Sequence, residues 1–194
     1  MSNRIGVLAL QGDFLEHQAA LLKIGVNSSE IRLPEQLDTL DGIIIPGGES
    51  TTISKLMDIY DIRQKLKHCI NNGLAVWGTC AGMILLAKSL EEPDPIPLQV
   101  MNIKVSRNAY GRQRDSFETK VKVTQLGSDP YHAIFIRAPK ITDVGNNVEI
   151  LASLKDGGPI AVREKNLLAT SFHPELTNDL RFHSFFMSIV NSHS

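Results

Sequence analysis

The chain has 194 residues, 42% of them hydrophobic and 21% charged, with a formal net charge of −1. That length suits one substantial core, and the near balance of charge gives no general pull toward nucleic acid or anionic lipid. No apolar run approaches the roughly 20 residues of a membrane span, so a soluble, cytoplasmic chain acting on small molecules or with protein partners is expected. Two cysteines, Cys69 and Cys80, make no disulfide framework and are expected to be reduced.

Taken in order, residues 5–10 read as a continuous apolar strand. Asp13 with Glu16 reads as a capping box opening a helix through Leu15, Ala19, Leu22 and Ile24 that stops at Gly25. Ile31 marks a second strand and residues 43–45 a third, which runs into Pro46-Gly47-Gly48-Glu49-Ser50-Thr51-Thr52. Adjacent glycines there leave backbone N–H groups free to approach a ligand; the segment also reads as a turn in which Ser50 or Thr51 caps the next helix. That helix carries Ile53, Leu56, Met57 and Tyr60, and a further one carries Ile62, Leu66, Cys69 and Ile70. Residues 74–77 form a fourth strand. Unalternated apolar strands separated by helices predict a parallel sheet covered on both faces, with ligands beyond the carboxyl ends of the strands.

The fourth strand ends in Gly78-Thr79-Cys80-Ala81-Gly82, followed by the apolar run 83–87. This is the pattern of a nucleophile elbow with a thiol at its apex. A sharp strand-to-helix turn forces strained angles at that apex and needs flanking glycines for close contact, while the helix start favours thiolate over thiol. Cys80 is the candidate nucleophile, the pattern also fitting a small buried structural cysteine or a phosphate-binding turn, and the N–H of Ala81 joins that of Gly48 as a candidate oxyanion hole.

The second half has a different texture. A polar, proline-rich break at residues 91–97 precedes Arg107-Asn108-Ala109-Tyr110-Gly111-Arg112-Gln113-Arg114, three arginines in eight residues, suited to an anionic group, a protein partner or plain solvent. Residues 117–123 alternate as a half-exposed antiparallel strand, and residues 133–138, 148–152 and 160–163 read as further strands, with Asp156-Gly157-Gly158 as a hairpin turn. After the apolar run 167–170 comes Ser171-Phe172-His173-Pro174-Glu175. Pro174 biases His173 toward extended backbone, where residues two apart share a side, so Glu175 faces His173. A carboxylate there fixes the imidazole tautomer, making His173 the candidate base and Glu175 its orienter; alone the segment reads rather as an ordinary surface turn, and it is the cysteine elbow that tips the reading. A last helix carries Leu180, Phe182, Phe185, Phe186, Ile189 and Val190. His17, His68, His132, His183 and His193 lack metal-finger spacing and read as structural or solvated; neither metal nor cofactor is expected.

With these segments in place, the chain resembles the class I glutamine amidotransferases, whose triad runs Cys, His, Glu in this order. More narrowly, Leu8-Ala9-Leu10-Gln11-Gly12, the Pro46 segment, the Cys80 elbow, Arg107-Asn108, Gly111-Arg112-Gln113, Phe135-Ile136-Arg137-Ala138-Pro139 and Ser171 to Leu176 resemble the glutaminase subunits of two-component pyridoxal 5′-phosphate synthases. The resemblance implies a three-layer, flavodoxin-like α/β fold, mostly parallel with an antiparallel C-terminal extension, as one glutaminase domain over 1–194. It implies that Cys80, His173 and Glu175 hydrolyse L-glutamine through a thioester, that Gly47, Gly48, Glu49, Arg107, Ile136 and Arg137 hold the substrate, and that ammonia passes to a barrel-shaped synthase subunit. Another amidotransferase, a gamma-glutamyl hydrolase, or a non-catalytic redox-sensing module are the competing readings.

Overall fold

The computed structural model describes residues 3–107 and 116–192. In chain order the elements are β1 (Ile5–Leu8), α1 (Phe14–Lys23), β2 (Ser28–Ile31), β3 (Gly42–Ile45), α2 (Ser50–Ile59), α3 (Ile62–Asn71), β4 (Ala75–Thr79), α4 (Ala81–Leu86), β5 (Ala87–Leu90) and β6 (Met101–Ser106). There follow β7 (Ser116–Val121), β8 (Tyr131–Ile136), β9 (Lys140–Val144), β10 (Glu149–Ser153), β11 (Pro159–Glu164), β12 (Leu167–Thr170) and α5 (Arg181–Asn191).

The main sheet has seven strands in the order β10-β11-β12-β4-β3-β1-β2. From β2 through β12 all neighbours are parallel, while β11 and β10 close the edge antiparallel. The expected fold class therefore holds, with one point of connectivity that the strand runs do not reveal. β12 comes from the far end of the chain, yet it pairs parallel with β4, Thr170 beside Thr79. That pairing brings the segment after β12 against the elbow after β4.

Two apolar layers sandwich the sheet. On one face Leu8, Ile43, Ile45 and Val76 pack with Ile53 and Met57 of α2, Leu66 of α3 and the whole of α4. On the other, Val7, Ile44 and Trp77 pack with Leu21 of α1 and Phe182, Phe186 and Ile189 of α5. Successive strand residues face opposite layers, so strands buried on both faces read as unbroken apolar runs. The hairpin β7–β8 joins the second layer, where Phe135 stacks on Phe117.

Several local expectations are corrected. The first strand stops at Leu8 rather than at residue 10. Asp13 is the N-cap of α1 but makes no side-chain cap bond, so no capping box forms. The inward face of α1 is His17, Ala20 and Leu21, while Leu15 and Leu22 are 59% and 64% exposed. Neither Ser50 nor Thr51 caps α2; Glu49 does, accepting from the Thr52 amide. Residues 174–176 form a short 3-10 turn, so Glu175 reaches His173 around a turn instead of along an extended strand. β5, β6 and β9 form a separate three-stranded sheet that sequence reasoning left out. Asn108, Gly111, Arg112, Gln113 and Arg114, part of the arginine-rich segment, lie outside the described residues.

Candidate active site

At the carboxyl edge of the parallel sheet, β4 delivers Cys80 at φ 47° and ψ −102°, a backbone conformation that costs on the order of 1–3 kcal/mol for a residue with a side chain. The strain is held by close packing. A Cβ on Gly82 would stand 2.0 Å from the Ile45 carbonyl oxygen, and one on Gly78 would stand 2.5 Å from the backbone of Gly82. The Cys80 amide donates to the Thr170 carbonyl at 2.8 Å, which ties the elbow to β12. The amide of Ala81 opens α4 and so has no intrahelical acceptor.

His173 enters from the end of β12, its amide bonded to the Ile134 carbonyl at 2.9 Å. Its ring shares one cavity wall with Cys80, whose side chain favours the charged imidazole, and Cys80 Sγ lies 3.8 Å from the Ile136 carbonyl oxygen. His173 Nδ1 meets Glu175 Oε1 at 2.7 Å and Asp13 Oδ2 at 3.4 Å. Burial opposes charge on this ring, but its interactions with Asp13, Cys80 and Glu175 outweigh it, and the pKa is pushed up to about 12. Burial pushes the Glu175 carboxyl up, while His173 pulls it down. The three predicted triad residues therefore meet. Asp13, His173 and Glu175 also bring ligand-type atoms within 4.8 Å of one another, and the hydrogen bonds among them account for that cluster.

A cavity of about 390 Å³ opens in front of the sulfur, lined by Gly48, Glu49, Ala81, Arg107, Ile136 and Arg137 among others. Gly47 is not on that lining. It clears the histidine, since a Cβ there would stand 2.5 Å from His173 Cε1. Glu49 Oε2 accepts from the Thr52 amide at 2.8 Å and from the Thr51 and Thr52 hydroxyls, leaving Oε1 3.4 Å from Arg107 Nη2. Burial works against the Glu49 charge, but these hydroxyl and amide donors together outweigh it and hold its pKa down at about 2. Arg107 is anchored by Nη1 on the Asp94 carbonyl at 2.7 Å and by its own amide on the Glu92 carboxylate. Arg137 stands at φ 43° on the cavity rim.

Three further residues of the site escaped sequence reasoning as site residues. Gln11 Oε1 accepts from the Glu49 amide at 2.7 Å, Asp13 joins His173, and His17 stands 3.3 Å from Glu175 Oε2. Gln11 and Asp13 follow β1, so the rule that ligands gather beyond the carboxyl ends of parallel strands was a signal for both.

A strained cysteine elbow facing a histidine–carboxylate pair on a mostly parallel sheet defines a class: the triad-type α/β fold seen in glutamine amidotransferases. The chain belongs to the SNO glutamine amidotransferase family, whose model matches residues 7–192. It is 54% identical over 187 residues to the pyridoxal 5′-phosphate synthase subunit PdxT of Thermotoga maritima, covering 96% of this chain and 99% of that one. It is 53% identical over 188 residues to the PdxT subunit of Herpetosiphon aurantiacus, covering 95% and 99%. A solved glutamine amidotransferase superposes with a TM-score of 0.91 at 46% identity, covering 96% of this chain and 98% of that one. The structure of PurLQS from Thermotoga maritima superposes at 0.72 with 15% identity over the full length of both chains, a likeness of fold alone.

Proposed function

We propose that this chain is the glutaminase subunit of a pyridoxal 5′-phosphate synthase, working in the cytoplasm with a synthase subunit that consumes its ammonia. The observation that carries the chemistry is a cysteine held in a strained elbow on the same cavity wall as a histidine whose Nδ1 lies 2.7 Å from a buried carboxylate. The raised pKa of His173 favours a resting state in which the imidazole carries the proton. Cys80 Sγ attacks the side-chain amide carbon of glutamine, and the charge developing on oxygen is met by the N–H groups of Gly48 and Ala81. His173 gives its proton to the amide nitrogen as the C–N bond breaks, releasing ammonia and leaving a thioester. A water, deprotonated by the now neutral His173, attacks that thioester; the C–S bond breaks, releasing glutamate and restoring free Cys80 beside a protonated His173. Glu175 keeps the ring oriented through both steps.

The cavity suits a zwitterionic substrate. Arg107 and Arg137 offer guanidinium groups to the α-carboxylate, and the Oε1 edge of Glu49 faces the α-ammonium. The ion pair between Arg107 and Glu49 is one that a bound zwitterion replaces with two of its own. Identity above 50% to PdxT subunits over nearly the whole chain supports the synthase context. The test is glutamate release from glutamine by wild type and Cys80→Ala, each with and without a synthase subunit. Cys80-dependent release that rises with the synthase subunit is expected; release that survives Cys80→Ala rejects the reading.

A further inference from the structure

Behind the triad lies a second histidine system. Asp13 and His17 are four residues apart at the start of α1 and so share one face of the helix. Both reach the pair formed by the end of β12: Asp13 Oδ2 lies 3.4 Å from His173 Nδ1, and His17 Nε2 lies 3.3 Å from Glu175 Oε2. The side chains of His17 and Glu175 have no exposure. His17 Nε2 is also 3.1 Å from Thr79 Oγ1, the residue before the nucleophile, and His17 Nδ1 is 3.1 Å from His183 Nε2. Among the described residues, neither Glu175 Oε2 nor His183 Nδ1 has a hydrogen-bond partner.

These contacts select one arrangement of protons. Burial, followed by the neighbouring histidines, keeps the pKa of His17 well below its ordinary value, so the ring is neutral and carries one proton. A bare Nε2 would set its lone pair against a buried carboxylate oxygen at 3.3 Å, so the proton belongs on Nε2. His17 Nδ1 then accepts from the Nε2–H of His183, and the atom left over is the His183 Nδ1 lone pair. The reverse arrangement would leave a buried N–H unpaired at the end of the chain and a repulsion at its head.

We propose that His17 is a positioning residue: its neutral Nε2–H, bonded to Thr79 Oγ1, presents a positive edge 3.3 Å from Glu175 Oε2 and so keeps Oε1 on His173. This rests on the glutaminase reading above. The terminal torsion of a glutamate is soft, and the side-chain partner that Oε1 has among the described residues is His173. With Nε2–H of His17 beside Oε2, rotation would carry a carboxylate oxygen away from the positive edge that faces it. A neutral donor does this without adding a charge that would compete with His173 for the carboxylate.

The test compares His17→Phe and His17→Gln with wild type in the complete complex with the synthase subunit. Phenylalanine fills the ring's place beside Trp77, which it meets edge-on at 5.5 Å between centroids, but carries no donor. Glutamine returns an N–H near the Nε2 position. Expected for H17F is a kcat lower on the order of 10–100-fold with KM for glutamine unchanged, and for H17Q recovery to within about threefold of wild type. Nitrogen-15 NMR of wild type should find His17 protonated on Nε2 and not on Nδ1. Wild-type kcat in folded H17F, or the opposite tautomer in wild type, overturns the inference, and the NMR measurement decides it even if H17F does not fold. Hydrolysis that depends on Cys80 but not on His17 overturns this inference alone; hydrolysis that survives Cys80→Ser overturns the glutaminase reading and this inference with it.

Discussion

The two cysteines stand at opposite edges of the same sheet, each on the wall of a cavity. Cys80 faces about 390 Å³ beyond the carboxyl ends of the strands, and Cys69 faces about 340 Å³ where Leu40, Asp41 and Leu74 lead into β3 and β4. The Cys69 cavity even holds a histidine, His68, and the ion pair of Lys65 with Asp38. What differs is the backbone. Cys69 sits in the regular last turn of α3, its carbonyl accepting from the amides of Asn72 and Leu74, both at 3.1 Å. Cys80 sits on a turn that aims its sulfur at groups from two other parts of the chain. A thiol, a histidine and a cavity occur at both edges, but at the carboxyl edge strand ends converge and an orienting carboxylate is in place.

The sharpest way to break this contrast is to remove each sulfur in turn. Cys80→Ala should lower glutamate release by the complex at least about a thousandfold, since triad members act as a unit, whereas Cys69→Ala should leave kcat within about twofold. Loss of activity in the second variant would mean that the amino-terminal edge takes part in the reaction. Next in size is Gly47→Ala. The added methyl would stand 2.5 Å from His173 Cε1 and must displace the ring, so kcat should fall on the order of a hundredfold while thermal stability changes little. Glu49→Gln should act on binding, raising KM for glutamine about tenfold through loss of one charge-assisted contact with a smaller change in kcat. Steady-state kinetics of both variants would show whether the two glycine-segment residues divide the work in this way.

Much of this contrast was legible in the sequence. The elbow around Cys80, the glycine pair after β3 and the His-Pro-Glu segment are local patterns, and each lands where strand topology puts it. The parallel half was readable because strands buried on both faces are unbroken apolar runs. β5, β6 and β9 were not, since their residues alternate between a packed face and water without a clean period; Ala87 to Leu90 runs buried, exposed, exposed, half-buried. α1 misled in a different way. Asp13 and Glu16 have the spacing of a capping box, but the Asp13 carboxylate serves His173, which arrives from 160 positions later in the chain. The same helix turns Leu15 to solvent and buries His17, because the polar partners of that ring lie on β4, α5 and the turn after β12. Periodicity cannot register a preference set by such distant groups.

The acid side of the stability curve separates the buried histidines from the triad. Burial lowers the pKa of His183 to about 4 and holds that of His17 well below its ordinary value. Unfolded histidine takes its proton near pH 6.5, so between that pH and about 4 the unfolded chain binds more protons than the folded one, and stability falls as pH falls. His183 alone accounts for roughly 3 kcal/mol of this loss by pH 4. His173 works in another window: its raised pKa contributes stability that is whole below pH 6.5 and declines as pH rises toward 12, so it does not blur the acid limb. Urea unfolding at pH 7.5, 5.5 and 4.5 should show the decline in wild type and a shallower one in His183→Gln; equal slopes would mean that these rings already carry charge in the fold.

The smallest effect completes the comparison of the two sulfurs. Burial raises the Cys69 thiol's pKa, with Lys65 acting against it and Asp38 with it. Its side chain packs on the flank of the α2–α3 layer, and the backbone bonds accepted by its carbonyl do not depend on the thiol. Cys69→Ala should therefore cost less than about 1 kcal/mol in unfolding free energy and leave the first alkylation event untouched. With substoichiometric iodoacetamide at pH 7, mass spectrometry should find the label on Cys80 in wild type and in the Cys69→Ala variant at the same rate, because burial raises the Cys69 pKa and so suppresses its reactive thiolate. Label appearing first on Cys69 would reverse the assignment of the two edges, since it would place the more nucleophilic sulfur on the regular helix and leave the strained elbow without its proposed use.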